Sequence, residues 1–248
     1  MSAVVSKITK RRSGILSVLG GSPIMAPLAA LVLASIFFAT QSDKFLTGAN
    51  FSLIMQQVIV VGTLAIGQTL IILTGGIDLS SGFIMALSSI LTTGLAMRSG
   101  LNPVLAILLG LLVAIAFGVV NGSLVTVVRL PPFIVTLGTS NIAFALVRIY
   151  STSTITKLPP AMLFFGKTFN VGGTEITYGS VLMILLYVLA WFVLRSTPAG
   201  RSVYAVGDNP EAARLAGINN TKVLIGVYSI AALTYGIAGL LLAARTGV

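Results

Sequence analysis

Few side chains in this chain can do chemistry. It has no Cys and no His, which excludes disulfides, thiolate nucleophiles, imidazole bases and the usual zinc sites. Only five Asp and Glu are present. One of them, Asp78, interrupts an apolar region within Thr74-Gly75-Gly76-Ile77-Asp78-Leu79-Ser80-Ser81-Gly82. A paired Gly can end one helix with positive φ, and the Asp78 carboxylate can cap the next by accepting amide hydrogen bonds. The same break can expose backbone and a carboxylate to a translocation cavity, as interrupted spans do in transporters, and the two roles are compatible. A carboxylate at the centre of a lipid-facing helix costs about 2.5–3.5 kcal/mol, so Asp78 is expected to face protein or water.

Neutral hydrogen-bonding groups surround this motif in sequence. Ser81, Met85, Ser88 and Thr92 fall within about 80° of Asp78 and one another at the helical 100° per residue. Gln57 and Gln68 share a face of the preceding apolar run, and Asn121 and Asn141 add amides elsewhere. Amides and hydroxyls without matching charges suit a neutral, hydroxyl-rich solute, although hydrogen bonding between helices accounts for the same residues. Gln57, Gln68, Asp78, Ser81, Ser88, Asn121 and Asn141 are therefore the candidate translocation-path residues. No catalytic residue, metal ligand set or cofactor is expected.

The elements that must position these groups follow from composition. Of 248 residues, 56% are hydrophobic and 8% charged, with a mean hydropathy of +1.05; ordinary soluble domains carry roughly a quarter charged residues. Too little polar surface remains to wrap a water-soluble globule, which excludes a cytosolic enzyme, a disordered tail and a nucleic-acid module. A bilayer core of about 30 Å takes about 20 apolar residues of helix. Seven runs approach that length: Pro23 to Thr40, Phe51 to Thr74, Ser80 to Met97, Pro103 to Val128, Phe133 to Tyr150, Ser180 to Leu194 and Val223 to Ala244. They are too long and too unalternating for barrel strands. The fold class expected is all-α, a polytopic transmembrane helix bundle of about seven spans.

The 15 Lys and Arg give a net charge of +10, and they lie between the apolar runs as membrane flanks. Lys7, Lys10, Arg11 and Arg12 precede the first run, which places the tail, residues 1–22, in the cytoplasm by the positive-inside tendency. A cleaved signal peptide is the competing reading, disfavoured because the apolar stretch continues to Thr40. Counting spans puts Arg129 and residues 196–222 inside, the latter as a cytoplasmic loop within a membrane domain of residues 23–248. In the fourth run Ala106, Gly110, Ala114, Gly118 and Gly122 recur at every fourth position, a groove where another helix can approach closely. Ala232 with Gly236 and Gly239 with Ala243 repeat the pattern in the seventh.

The inner loop holds a short helix signal: Asn209 can cap, Pro210 suits the first position, Glu211 favours the positive end and Gly217 can close it. Such a helix of about 10 Å is too short to span and well sized as a docking knob. Three motifs then carry a resemblance: LIILTGGIDLSSG at Leu70 to Gly82, PPFIVTLGTSNI at Pro131 to Ile142, and GRSVYAVGDNPEAARLAGIN at Gly200 to Asn219. Together, in this order, they resemble the sugar-type permease subunits of bacterial ATP-binding-cassette importers, the family of the ribose, xylose and galactoside permeases. Glu211 to Gly217, EAARLAG, is similar to the EAA-type loop through which importer permeases contact their ATPase.

The resemblance implies a pore subunit of the bacterial cytoplasmic membrane, embedded in the lipid bilayer, that hydrolyses nothing itself and imports a monosaccharide. Its implied partners are cytoplasmic ATPase subunits, an extracytoplasmic solute-binding protein and a second permease chain, identical or related. The implied ATPase-coupling residues are Gly200, Arg201, Asn209, Pro210, Glu211, Ala212, Ala213, Arg214 and Gly217. The outer loop from Ser151 to Gly179, with Pro159-Pro160 and Gly172-Gly173 as turn formers, is expected to receive the binding protein. The chain departs from the general EAA pattern in lacking its Leu-Pro, and family members continue through further spans, so the seven are expected to be part of a longer permease fold. The alternatives are an ion-coupled secondary transporter, for which Asp78 is the one strong intramembrane acid, a structural subunit without a solute path, and an importer permease for a nucleoside or a furanosyl signal molecule.

Overall fold

The computed structural model describes residues 25–247. The basic cluster Lys7, Lys10, Arg11 and Arg12, and the expectation of a cytoplasmic N-terminus built on it, lie outside the described residues.

The chain divides at Asn50–Phe51 into two units. The first contains helix α1 (Met25–Gln41), apolar and without a buried residue. Its end is closed by Thr40, whose hydroxyl donates to the Phe37 carbonyl at 2.7 Å. A turn follows, in which the Asn50 amide donates to the Phe45 carbonyl at 2.8 Å.

The second unit is built from α2 (Gly48–Leu73, from Phe51 on), α3 (Ser81–Met97), α4 (Pro103–Thr126), α5 (Pro132–Tyr150), α7 (Tyr178–Ser196) and α10 (Asn220–Thr246). Between them lie the short helices α6 (Pro160–Leu163), α8 (Pro198–Asp208) and α9 (Pro210–Leu215) and a hairpin, β1 (Thr168–Val171) with β2 (Thr174–Thr177). Over the described residues each apolar run is helical, with ends from the second run onward within a turn of those expected. Helices α2, α4, α5, α7 and α10 are long and apolar enough to cross a membrane; α1 and α3 are apolar and have 17 residues each.

Start signals are local and legible. The Asn102 side chain accepts from the amides of Val104 at 2.9 Å and Leu105 at 3.4 Å, with Pro103 in the first position of α4. Thr177 caps α7 by accepting from Ser180 N at 3.2 Å. Pro159 and Pro160 begin α6 rather than making a turn, whereas Gly172 and Gly173, at φ of 58° and 86°, do form the hairpin turn.

The centre of the second unit is α10, which packs along α4 and against α3. All five small residues of the α4 stripe are buried. A Cβ on Gly118 would lie 2.5 Å from the Tyr228 carbonyl oxygen and 2.7 Å from the Ala232 Cβ, and one on Gly122 would lie 2.7 Å from the Ile225 Cα. Across the interface, a Cβ on Gly236 would meet Ala114 at 3.0 Å, and one on Gly239 would meet the Met85 carbonyl at 2.5 Å. With apolar lipid as the competing solvent, such close backbone approach is what holds helices together. Gly118→Val is expected to lower stability by about 1–3 kcal/mol through overpacking against backbone. Thermal aggregation of the detergent-solubilised chain measures this, with Gly138→Ala as the control, since a Cβ there meets nothing within 4 Å.

Helix α7 is joined to α2 where the Tyr187 hydroxyl donates to the Gly62 carbonyl at 3.0 Å. Beyond α7 the loop carries the short helix expected after Asn209, as α9, and ahead of it a further helix, α8, that was not expected. Thr197 and Pro198 start α8, and Gly200, Val203 and Val206 form its buried face. Both of its glycines serve packing. A Cβ on Gly200 would overlap the Val193 and Leu194 carbonyls, and one on Gly207 would overlap the Leu73 carbonyl.

Candidate functional site

The first site grows from the break after α2. Gly75 takes φ of 73° and donates from its amide to the Ile72 carbonyl at 2.9 Å, ending the helix. Its neighbour is not in the left-handed region; Gly76 is small because a Cβ there would stand 3.0 Å from both the Tyr228 hydroxyl and Ile71. Residues 76–80 then run without regular structure until α3 starts.

Asp78, 5% exposed, is held inside the protein. Its Oδ1 accepts from Ser80 N at 2.7 Å and from the Ser80 hydroxyl at 2.5 Å, and its Oδ2 accepts from the Tyr235 hydroxyl of α10 at 3.2 Å. Ser80 also accepts from the Asn121 amide of α4 at 3.1 Å. The Asp78 carbonyl accepts from the Gln68 amide of α2 at 2.8 Å, and the Thr136 hydroxyl of α5 accepts from Leu79 N at 3.2 Å. Four helices thus fasten one unwound segment. The carboxylate acts one step ahead of the expected cap: it fixes Ser80, which occupies the cap position of α3 without its hydroxyl capping an amide of that helix.

Two buried polar atoms beside this cluster, Asn121 Oδ1 and the Tyr228 hydroxyl, make no hydrogen bond within the described residues. The chemistry on offer is neutral hydrogen bonding around one acid. No group of three or more His, Cys, Asp or Glu that could hold a metal ion occurs among the described residues.

The structure brings together Gln68, Asp78 and Asn121 and disperses the other expected path residues. Ser88 is buried and donates to the Gly110 carbonyl at 3.0 Å, a helix-packing bond. Ser81 is half-buried at the start of α3, and Gln57 is exposed on α2. Asn141 is exposed and donates to its own helix at the Leu137 carbonyl, 2.8 Å away. The sequence reading missed Ser80, Thr136, Tyr228 and Tyr235. A usable signal was the seven-residue spacing of the two tyrosines, which puts both on one face of a small-residue helix.

The second site is the α8–α9 pair. Asn209 Oδ1 accepts from Glu211 N at 3.1 Å and Ala212 N at 3.0 Å, with Pro210 in the first helical position. Gly217, at φ of 85°, closes the helix, and its amide donates to the Arg214 carbonyl at 3.0 Å. The Asn220 amide donates back to the Pro210 carbonyl at 2.7 Å, which fixes α9 to the start of α10. Ala213 faces inward, while Glu211 and Arg214 pair on the outside at 2.6 and 3.1 Å. The Arg214 guanidinium holds the Glu211 carboxyl below the usual carboxylate range through hydrogen bonding and charge. This exposed pair adds little stability. Leu215, 74% exposed, stands at the tip as an apolar contact open to a partner.

The two sites adjoin, because Gly207 of α8 lies against the carbonyl of Leu73, the last residue of α2 before the break. Behind α8, a cavity of about 240 Å³ between α2, α7, α8 and α10 is lined by apolar side chains, with Thr234 its one hydroxyl. Such a lining offers little to a solute rich in hydroxyls.

Residues 50–248 match the family described as branched-chain amino acid transport system / permease component. The chain is 44% identical over 236 residues to a fructose import permease protein of Rhizobium meliloti, covering 92% of this chain and 66% of that one. It is 38% identical over 224 residues to a ribose import permease protein of Bacillus subtilis, covering 89% and 68% respectively. With a galactose/methyl galactoside import permease protein of Haemophilus influenzae it shares 30% identity over 233 residues, covering 88% and 69%. The chain thus spans about two thirds of the length of these relatives. No solved structure matches it.

Proposed function

Because the chain belongs to the family of branched-chain amino acid transport system / permease components, we propose that it forms the membrane conduit through which an ATP-binding-cassette importer admits a monosaccharide. The sugars named for its relatives, fructose and ribose among them, support that solute class. In this reading all seven apolar helices span the cytoplasmic membrane, with residues 1–22 and the α8–α9 pair on the inner side. ATP is hydrolysed by a separate cytoplasmic subunit, sugar arrives from an extracytoplasmic binding protein, and a second permease chain completes the pore.

The observation that carries the mechanism is the adjacency of lever and break. A partner seated on the exposed α9 pushes on Leu215 and on the Asn209–Gly217 turn. Through Gly207 the push reaches the end of α2, and through the α9–α10 junction it reaches Tyr228 and Tyr235 on the central helix. Both routes converge on residues 74–80, where Gln68, Asp78 and Asn121 would meet the solute or set the angle of the broken helix. Ser81 and Ser88 act at the start and flank of α3, and Gln57 and Asn141 would line the conduit only where a second chain encloses them. Within the coupling set, Asn209, Pro210, Glu211, Ala212, Ala213, Arg214 and Gly217 form the contact. Gly200 and Arg201, at the far end of α8, anchor it.

Purification of the tagged chain from its native membrane tests this reading. An ATPase subunit is expected to co-purify, and nucleotide hydrolysis in the complex is expected to rise with sugar-loaded binding protein. A stable complex containing no ATPase would overturn it.

A further inference from the structure

The corner between α7 and α8 carries a feature that reaches beyond coupling, although Arg201 of the coupling set belongs to it. Thr197 makes the corner rigid: its hydroxyl donates to the Val193 carbonyl at 2.7 Å and accepts from Gly200 N at 3.2 Å. On its outer side a recess of about 420 Å³ is lined by Trp191, Leu194, Arg195, Arg201 and Tyr204. The Arg195 guanidinium lies 5.3 Å from the centre of the Trp191 ring. The one ion pair among the described residues joins Arg214 to Glu211, so neither Arg195 nor Arg201 has an acid partner there. The nearest acid on the same helix, Asp208, is seven residues from Arg201, about 10 Å along the axis. Two forked cations therefore converge on one recess with their charge uncompensated.

The recess is mostly apolar, and it sits at the end of a helix long enough to cross a membrane. From it an exposed apolar strip, Ile184 and Val188, runs back along α7. Trp and Tyr rings with Arg at the end of a span suit the headgroup level of a bilayer, and guanidinium forks match phosphate oxygens in pairs. A free anion would satisfy the cations and leave the strip bare. The geometry points to a binding site for an anionic phospholipid, its phosphate between Arg195 and Arg201 and one acyl chain along α7. A lipid so placed ties the base of the lever to the membrane surface.

Trp191 is the only Trp in the chain, so its fluorescence reports this recess directly. The full chain is reconstituted in nanodiscs of phosphatidylcholine doped with a dibrominated lipid, either phosphatidylglycerol or phosphatidylcholine. Brominated phosphatidylglycerol is expected to quench Trp191 with about thirtyfold higher apparent affinity, as two juxtamembrane cations provide. In Arg195→Gln/Arg201→Gln the ratio is expected to fall to about one, while Arg195→Lys/Arg201→Lys keeps part of it, which separates charge loss from misfolding. Equal quenching by the two lipids, or a preference that survives the Gln pair, overturns the site. So does quenching by neither, which means that protein covers Trp191. Relief of quenching by millimolar inorganic phosphate would make it a free-anion site and overturn the lipid assignment.

Discussion

Deletion of Glu211–Gly217 is expected to abolish association with the ATPase and to reduce ATP-driven sugar uptake to the level of membranes lacking the chain. The deleted residues include the whole apolar tip and the Glu211–Arg214 pair, whose side chains are 66% and 62% exposed. Of the helix, only Ala213 is buried. Little of the packed second unit is lost with it, so membrane insertion and the thermal midpoint of the remainder should change slightly. A finer variant separates contact from connectivity. Leu215→Asp leaves the Asn209 cap and the Gly217 turn intact but removes an apolar contact, and burying a Leu contributes about 1.5–3 kcal/mol. At 1.4 kcal/mol per decade this weakens ATPase binding about 10- to 100-fold, read from titration of the ATPase onto the reconstituted chain. A symporter would keep ion-gradient-driven uptake in both variants, and that outcome would sink the importer reading.

Asp78→Ala is expected to cost about 2–5 kcal/mol of stability and most of the transport. The carboxylate is the acceptor for Ser80 N, the Ser80 hydroxyl and the Tyr235 hydroxyl. Removing it leaves buried donors without partners, at about 1–3 kcal/mol for each one left unsatisfied. The loss frees the unwound segment from α10, so damage should appear at the break before the rest of the bundle melts. Cleavage by a protease at 74–80 would rise while the α4–α10 interface persists. Asp78→Asn keeps an acceptor oxygen for Ser80 and is expected to recover more than half of the stability. Comparing transport in the two variants then distinguishes a fastening role from one that needs the charge. If Asp78→Ala left both the thermal midpoint and uptake unchanged, the cluster would have neither role.

The helices were legible from residue pattern alone. Apolar runs of this length have no alternative in lipid, where each amide must find its partner inside its own segment. The caps at Asn102, Thr177 and Asn209 and the Gly75 and Gly217 stops are properties of a few adjacent residues. The small-residue stripe of α4 was legible for the same reason, since four-residue spacing fixes a face whatever helix comes to meet it.

Which helix meets it was decided by the tertiary structure. That α10 fills the stripe, and so carries Tyr235 to Asp78 across 157 positions of sequence, depends on how whole helix surfaces fit. Periodicity placed Asp78 and Ser88 on one stripe, yet it could not tell that one joins a polar cluster and the other merely packs against Gly110. The α8 helix went unread because its two glycines weaken local propensity. Close approach to the Val193, Leu194 and Leu73 carbonyls makes glycine the residue that fits at both positions. Side-chain types and their spacing are local quantities, whereas the pairing of distant polar groups is settled by which packed arrangement leaves the fewest of them unsatisfied.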